Sequence, residues 1–297
     1  MGSEPSGPAL ISVVSTVRNE GPHIAQLLDS LLVQEPPFEV VLVDAFSRDR
    51  TYAIASEYAA RHPGLIRLFR RSGSRGVGRN AGVRAARGEF VAFIDGDCYA
   101  DASWLKVLRA SLVDAPVVAG QMVNVGAPRY CQLERVELFQ SGYDVTHPSS
   151  NLAYRRALFE RLGGFDGRFI TAEDIDLNLR AVRAGGAIRY APDAVVYHHV
   201  RTTILRFLLQ AFWNGYGRKQ LTEKHGSLWG RYRMSRLISG QRGWVAWARL
   251  SAAFGGYGVR VLTGAGSRLT QEFPRAEPAV AEGSPTAAAR DGGPSSP

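Results

Sequence analysis

The feature that most constrains the fold is a short apolar run that ends in two carboxylates. Residues 90–94, Phe-Val-Ala-Phe-Ile, are all apolar and are followed at once by Asp95-Gly96-Asp97. Such a run predicts a strand that is buried on both faces, as the strands of parallel sheets are. Because open parallel α/β sheets bind ligands at the carboxyl ends of their strands, we expect Asp95 and Asp97 at a ligand-binding edge.

The two aspartates have two interpretations. Carboxylate oxygens are hard ligands that suit Mg²⁺ or Mn²⁺ carrying a substrate diphosphate. Alternatively, the aspartates only cap the next helix, which the pattern places over residues 102–113, because short acidic turns are common at strand ends. The pair alone leaves both interpretations open, and the rest of the chain favours the metal site.

Strand and helix patterns alternate along residues 10–113. Apolar runs at 10–17, 38–43, 66–69 and 89–94 are separated by helical spacing such as that of Ile24, Leu27, Leu28 and Leu31. This alternation predicts an α/β fold with a Rossmann-like, mostly parallel sheet flanked by helices. Residues 114–200 have strand signals without regular alternation, which predicts a mixed second half of the same domain.

The chain ends predict little structure. Residues 1–9 and the Pro-, Ala-, Gly- and Ser-rich residues 271–297 are predicted to be disordered. Cys98 and Cys131 are too few for a disulfide framework, and no basic segment precedes the first apolar run. A reducing, cytoplasmic location without a secretory signal is therefore expected. Cys98 itself is interpreted as a small packing residue.

Polar clusters follow three of the predicted strands, at residues 16–20, 44–49 and 95–97. Their convergence on one edge of a parallel sheet predicts a nucleotide crevice. Arg75 and Arg79 lie in a glycine-containing segment where arginines can bind phosphate oxygens in a forked geometry. The chain contains neither a G-x-G-x-x-G fingerprint nor a P-loop, so dinucleotide oxidoreductases and P-loop NTPases are disfavoured.

Taken in order, these motifs resemble the family 2 glycosyltransferases with a GT-A fold. The matching segments are residues 12–20, 43–51, 78–82, 86–97, 151–155, 163–166 and 172–177. Two departures stand out, because Ala45 and Phe46 replace the second aspartate and the glycine of the family's V-D-D-G motif. The base of the donor nucleotide is therefore left open. The Q-x-x-R-W motif of processive synthases is absent, which predicts transfer of a single sugar.

The resemblance implies a role for each polar cluster. Asp97 would contact Mg²⁺ or Mn²⁺ directly, Asp95 would assist through the ribose or a water, and His198 would be the third ligand, with His199 as the alternative. A purely structural role for this histidine pair is also open. The residues implied in binding the donor nucleotide are Thr16, Arg18, Glu20, Asp44, Arg75, Arg79, Asp95 and Gly96.

Glu173 and Asp174 open a predicted helix, where they either complement the helix dipole or take part in catalysis. By the resemblance, Asp174 is the general base that deprotonates the acceptor hydroxyl, and Glu173 positions the acceptor. The implied reaction moves one sugar, with inversion, from a nucleotide-diphosphate-sugar donor to a glycan, lipid-linked or small-molecule acceptor. A sugar-nucleotide-forming nucleotidyltransferase and a catalytically silent sugar- or membrane-binding module are the alternatives.

The excess positive charge lies in residues 200–270, with twelve Lys or Arg against the single acid Glu223. This predicted helical region, 201–270, has two interpretations: peripheral contact with an anionic membrane at its cytoplasmic face, or a solvated basic face that closes the acceptor site. Arg242, Arg249 and Arg260 interrupt its apolar stretches, so a membrane span is not expected. No nucleic-acid-binding module is recognisable, and no nucleic acid partner is expected.

Overall fold

The computed structural model describes residues 9–126, 136–200, 203–232 and 244–264. Within these ranges the main sheet has eight strands: β1 (Ile11–Val17), β2 (Phe38–Asp44), β3 (Ile66–Arg70), β4 (Phe90–Phe93), β5 (Cys98–Ala100), β6 (Val117–Val125), β9 (Leu152–Arg155) and β10 (Ile188–His199). Across the sheet they lie in the order β3-β2-β1-β4-β9-β6-β10-β5. The short strands β7 (Phe139–Gln140) and β8 (Tyr143–Asp144) pair separately. Residues 1–8 and 271–297, for which disorder is predicted, lie outside the described residues, as does Cys131.

The helices cover both faces of this sheet. They are α1 (Ile24–Leu32), α2 (Thr51–Arg61), α3 (Arg75–Ala85), α4 (Trp104–Asp114), α5 (Arg156–Arg161), α6 (Glu173–Arg183), α7 (Ile204–His225) and α8 (Trp244–Gly264). The helical spacing in the first of them is confirmed, because Ile24, Leu27, Leu28 and Leu31 are all buried. Two apolar cores result, one on each face of the sheet.

The first four strands are parallel, as the alternation predicts. β1 pairs in parallel with β2 on one side and with β4 on the other, and β2 pairs in parallel with β3. The chain therefore reverses its direction of winding beside β1, which is where doubly wound sheets form their ligand crevice. The ends of β1, β2 and β4 carry the three polar clusters.

The second half of the sheet is mixed. β9 runs antiparallel between β4 and β6, and β10 returns parallel to β6. The three-residue strand β5 follows Asp97 directly and pairs antiparallel with the end of β10. This pairing brings the end of β10 beside the acidic turn.

Helix α7 is attached to the sheet domain through buried charges at its carboxyl end. The Nζ of Lys224 lies 2.8 Å from a carboxylate oxygen of Asp166 and 2.7 Å from one of Asp176. His225 lies 2.7 Å from the same oxygen of Asp176, and Arg180 binds the other at 2.7 Å. Among the described residues, no helix is long and apolar enough to cross a membrane.

The pKa of Asp176 reflects this attachment. Burial alone would raise it, but the hydrogen bond from His225 and the charges of Arg180 and Lys224 outweigh burial and lower the pKa from 3.8 to about 2. A carboxylate whose pKa is lower in the folded state stabilises the fold above its unfolded pKa. That contribution disappears as the pH falls towards the folded pKa.

We therefore expect the Asp176 carboxylate to contribute roughly 2 kcal/mol to the free energy of unfolding at neutral pH, lost between about pH 4 and about pH 2. In Asp176→Asn, urea unfolding should give a lower stability at neutral pH and a shallower decline through this window. Glu160→Gln is the matched control, because Glu160 forms an exposed pair with Arg156 and should change neither quantity. Parallel pH profiles for wild type and Asp176→Asn would contradict the assignment.

Candidate active site

The acidic turn at the end of β4 does not cap the following helix. Ile94 is fully buried, Asp95 and Asp97 are partly exposed, and Cys98 begins β5. Helix α4 begins only at Trp104, and it is Asp101 that accepts hydrogen bonds from Ser103 before it. The capping interpretation is therefore wrong, and both carboxylates are left at the sheet edge.

The antiparallel pairing of β5 with β10 sets His198 opposite Cys98, beside Asp97. The Nε2 of His198 lies 3.6 Å from a carboxylate oxygen of Asp97, and its Nδ1 lies 3.2 Å from the Oδ1 of Asn124. Asp97, Cys98 and His198 each offer one ligand atom, all within 4.8 Å of one another. The carboxylate of Asp97 is a ligand type that suits Mg²⁺ and Mn²⁺, and the imidazole of His198 is one that suits transition metals.

His199, which follows this group in sequence, and Cys98, which belongs to it, have other environments. The imidazole of His199 lies 2.9 Å from the Oε1 of Gln26 and stacks on His23 with the ring centroids 4.5 Å apart. Burial, reinforced by the charges of Asp95 and Asp97, raises the pKa of the Cys98 thiol well above its usual value. Cys98 is 1% exposed and belongs to the apolar core. The geometry thus favours His198 over His199, and packing as the role of Cys98.

Arg79 joins the acidic turn to the start of α6. One of its terminal nitrogens lies 2.6 Å from an oxygen of Asp95 and the other 2.7 Å from an oxygen of Glu173. The side chain of Arg79 is only 1% exposed. Burial raises the pKa of Glu173, and the charge of Arg79 opposes that shift. The sequence predicts that Arg79 binds the donor phosphates, whereas in the structure its guanidinium forms ion pairs with two carboxylates.

Asp174, at the start of α6, is oriented by hydrogen bonds from two backbone N–H groups. One carboxylate oxygen accepts a hydrogen bond from the N–H of Ser149 at 3.1 Å, and the other accepts one from the N–H of Ile175 at 2.8 Å. Ala172, which precedes the helix, has a left-handed backbone conformation with φ of 67°. The carboxylate is thus held by contacts from two separate segments of the chain.

A cavity of about 970 Å³ lies in front of these groups. Asp95, His198 and Asp174 all line it, together with the exposed Arg75. Its other wall is the cavity face of α7, which we define by Arg206, Leu209, Gln210, Trp213, Asn214 and Arg218. Sequence reasoning missed His147, Ser149 and Tyr190 in this lining, because nothing in their local pattern indicates that they meet α6.

Of the predicted donor-binding residues, Arg75 and Asp95 line this cavity. The others are not in its lining: Arg79 is buried in the bridge, and Thr16, Arg18, Glu20, Asp44 and Gly96 lie at or just after the ends of β1, β2 and β4. Gly96 packs against the end of β1 so closely that an added Cβ would lie 2.8 Å from Glu20 and 2.9 Å from Val17. The loop that contains Glu20 is tied to residues after β2, because the N–H of Gly21 donates to Asp49 at 2.9 Å. The three strand ends are therefore joined into one surface.

Two residues of this surface have distinctive environments. Thr16 has a buried hydroxyl without a hydrogen-bond partner among the described residues. Asp44 is fully buried, accepts hydrogen bonds from the N–H of Ser47 at 3.2 and 3.3 Å, and lies 3.4 Å from Arg70. Arg18, by contrast, is exposed.

Comparison with known proteins gives consistent family matches. A model described as glycosyl transferase family 2 matches residues 12–162, which is 151 of the 297 residues, and one described as glycosyl transferase family group 2 matches residues 136–270. The glycosyltransferase AglE of Haloferax volcanii is 28% identical over 205 residues, covering 64% of this chain and 67% of AglE. Matches to other curated relatives cover 48% and 58% of their lengths.

Solved structures share the fold. Residues 1–349 of TarS from S. aureus, in complex with UDP-GlcNAc, align with a TM-score of 0.55 and 20% identity over 86% of this chain and 92% of TarS. The mannosyltransferase PcManGT of Pyrobaculum calidifontis, in complex with GDP-Man and Mn²⁺, gives 0.59 and 21% identity over 91% and 83% of the two chains. The sheet and its flanking helices thus form a GT-A fold, as the sequence predicts.

The buried bridge made by Arg79 predicts a large and specific effect on stability. Arg79→Ala would leave Asp95 and Glu173 without their shared cation, so we expect a loss of about 3–5 kcal/mol in the free energy of unfolding. Arg75→Ala on the same helix is the control, because Arg75 is exposed, and it should change stability by no more than about 0.5 kcal/mol. Urea denaturation of both variants decides the matter, and equal effects would show that the bridge does not stabilise the fold.

Proposed function

The chain belongs to glycosyl transferase family 2, and on that premise we propose that it transfers one sugar from a nucleoside-diphosphate-sugar to an acceptor hydroxyl with inversion. The observation that carries this proposal is that Asp95, His198 and Asp174 line one cavity of about 970 Å³. Groups suited to a metal-bound diphosphate and a group suited to deprotonating an acceptor thus share one space. The family match removes the nucleotidyltransferase alternative, for which residues 16–20 also lack the glycine-rich loop.

The donor diphosphate is proposed to lie at the acidic turn. Asp97 and His198 would hold Mg²⁺ or Mn²⁺, and Asp95 would assist through the ribose or a water. When bound, such an ion neutralises the negative charge that develops on the departing diphosphate. Arg75, exposed at the start of α3, adds a cation on the same side of the cavity. The Mn²⁺ in the PcManGT complex supports a divalent metal in the donor site.

Asp174 is proposed as the general base. As the acceptor oxygen attacks the anomeric carbon, its proton passes to a carboxylate oxygen of Asp174. The bond from that carbon to the diphosphate breaks on the opposite face, and its electron pair leaves with the diphosphate, so the anomeric centre is inverted. The N–H groups of Ser149 and Ile175 fix the orientation of the carboxylate before the acceptor arrives. Glu173, held by Arg79, lies beside it and positions the acceptor.

The nucleotide base is proposed to stack on Phe46 rather than to be read by a carboxylate. Ala45 has no polar side chain to hydrogen-bond a base edge. Phe46 is 51% exposed and has φ of 55°, a conformation uncommon for a bulky residue. The guanidinium of Arg70 lies 5.6 Å from its ring centroid. An exposed aromatic face held in this way suits stacking, which tolerates different bases.

The basic carboxyl-terminal region is proposed to close the acceptor site. Its helix α7 lines the cavity, and several of its cations are already paired, such as Lys224 with Asp176 and Arg260 with Glu223. Arg201, Arg233, Arg236, Arg242 and Arg268 lie outside the described residues, as does the side chain of Trp229. Contact with an anionic membrane stays a prediction.

The metal assignment is tested by substituting Asp97. With Mn²⁺ and saturating UDP or GDP, a ligand at a hundred times its Kd should stabilise the wild type by about 2.7 kcal/mol. In Asp97→Ala we expect the part of this stabilisation that requires Mn²⁺ to disappear, whereas the exposed control Asp193→Asn should keep it. Thermal-shift titrations measure both, and an unchanged metal-dependent affinity in Asp97→Ala would remove Asp97 from the metal site.

The general base is tested by Asp174→Asn, which keeps the size of the side chain and its carbonyl acceptor for the N–H of Ser149. We expect turnover to fall by about 10²–10⁴-fold, the usual contribution of general-base catalysis, with donor affinity unchanged. Turnover is measured as release of nucleoside diphosphate, with water as acceptor when no other is supplied. Near wild-type release with normal donor affinity would make Asp174 a structural residue.

A further inference from the structure

The cavity of about 970 Å³, which we call the acceptor cavity, is adjoined by a second cavity on a neighbouring face of α7. This second cavity measures about 280 Å³ and lies between α7 and α8. Its lining is largely apolar and includes Ala211, Leu250, Ala253, Phe254 and Tyr257, with Thr222 and Arg249 among its polar members. We call this space the interhelix groove. It shares Asn214 and Arg218 with the acceptor cavity, so the two spaces adjoin at these residues.

The junction between the two spaces is polar and fixed. The guanidinium of Arg218 donates to the hydroxyl of Tyr232 at 3.3 Å and to the carbonyl of Val136 at 3.1 Å. Its carbon lies 5.5 Å from the ring centroid of Tyr232. A ligand that passes from the acceptor cavity into the interhelix groove would therefore meet a cation between a polar space and an apolar one.

The walls of the interhelix groove are held in place by close helix packing. An added Cβ on Gly215 would lie 1.8 Å from the carbonyl oxygen of Ala253, and one on Gly256 would lie 1.8 Å from that of Phe212. The two backbones therefore touch at these glycines. Further along, Arg260 of α8 forms a 2.8 Å ion pair with Glu223 of α7. The groove is a gap between fixed helices.

Exposed apolar side chains are concentrated on the same two helices. Ten of the sixteen large apolar residues that are exposed in the described part of the chain belong to α7 or α8. They are Ile204, Leu205, Leu209, Trp213, Trp244, Trp247, Phe254, Val259, Val261 and Leu262. Leu209 and Trp213 line the acceptor cavity and Phe254 lines the interhelix groove, so both spaces have exposed apolar side chains in their walls.

We infer that the acceptor is amphipathic, with a hydroxyl-bearing head in the acceptor cavity and an apolar tail in the interhelix groove. This inference rests on the proposed function, because it takes the larger cavity as the acceptor site. The head reaches Asp174, the linkage between head and tail passes Asn214 and Arg218, and the tail packs against Leu250, Phe254 and Tyr257. The substrate class is therefore an alcohol attached to an alkyl or polyisoprenoid chain.

The inference is tested with hexyl, octyl and decyl β-glucosides, each kept below its critical micelle concentration, by isothermal titration calorimetry on the full chain. Full burial of a methylene group strengthens binding by up to about fourfold. We expect the Kd to fall by at least about tenfold from the hexyl to the decyl compound. Equal Kd values for the three compounds with the wild type would overturn the inference.

Matched variants locate the tail. Leu250→Trp fills the interhelix groove and should abolish the dependence on chain length. Leu262→Trp adds the same ring at an exposed position on the same helix and should retain it. If Leu250→Trp does not fold, Phe254→Ser, which removes one wall, should weaken the dependence at least about threefold. An unchanged dependence in a folded groove variant would place the tail elsewhere and overturn the inference.

The same samples separate this inference from the proposed function. Thermal shifts with Mn²⁺ and UDP or GDP report on the proposed donor site, which lies at the ends of β1, β2 and β4 and away from the interhelix groove. Nucleotide binding without any chain-length effect would refute the amphipathic acceptor alone. Absence of both would count against the proposed function as well.

Discussion

The contact on which the active site depends is the buried bridge between Asp95, Arg79 and Glu173. Taking the charges of Arg79 and Glu173 out of water is unfavourable, and close pairing on both sides of the guanidinium, with Glu173 and the partly exposed Asp95, offsets that penalty. The two oxygen–nitrogen distances, 2.6 and 2.7 Å, meet this requirement. Because Asp95 lies in the turn after β4 and Glu173 begins α6, the bridge fixes the start of the helix against the sheet edge. The carboxylates proposed for the donor and those proposed for the acceptor are therefore held in one arrangement before either substrate binds.

Helix α7 adds the second constraint. Its carboxyl end is anchored by Lys224 and His225 to Asp166 and Asp176, and its middle is tied by a hydrogen bond from the hydroxyl of Thr171 to the carbonyl of Trp213 at 2.8 Å. Asp176 belongs to the same helix as Asp174. The wall of the acceptor cavity and the proposed base are thus positioned by neighbouring residues of α6.

Much of this architecture is predictable from local sequence. The apolar periodicity of residues 10–113 places the first four strands and the helices between them, because burial of one face imposes the pattern directly. The acidic turn after residue 94 is likewise found from an apolar run and its ending. The resemblance already favours His198 over His199, but the proximity of His198 to Asp97 depends on the pairing of β5 with β10, and β5 is too short to leave a periodic signal.

Contacts between distant residues leave no such signal. The partners of Arg79 lie 16 and 94 positions away, so its sequence neighbourhood indicates a phosphate-binding arginine and not a buried bridge. In sequence Asp176 alternates with apolar residues, as an acid on the solvated face of a helix would. In the structure it is fully buried, because Lys224 and His225 of α7 pair with its carboxylate. Closure of the acceptor site is one interpretation that the sequence offers for residues 201–270, but which residues of α7 line the cavity cannot be predicted, for the same reason.

The two ends of α7 are under different constraints. Changes at Lys224 or His225 disturb a network that is shared with the sheet domain, whereas Leu209, Gln210 and Trp213 line the cavity. Substitutions in the first half of α7 can therefore change the preference for the proposed acceptor. The carboxyl end of the helix meanwhile keeps its contacts with Asp166 and Asp176, and so holds α6 in place. Acceptor preference is expected to diverge among relatives along this helix, and the proposed metal and base positions to change far less.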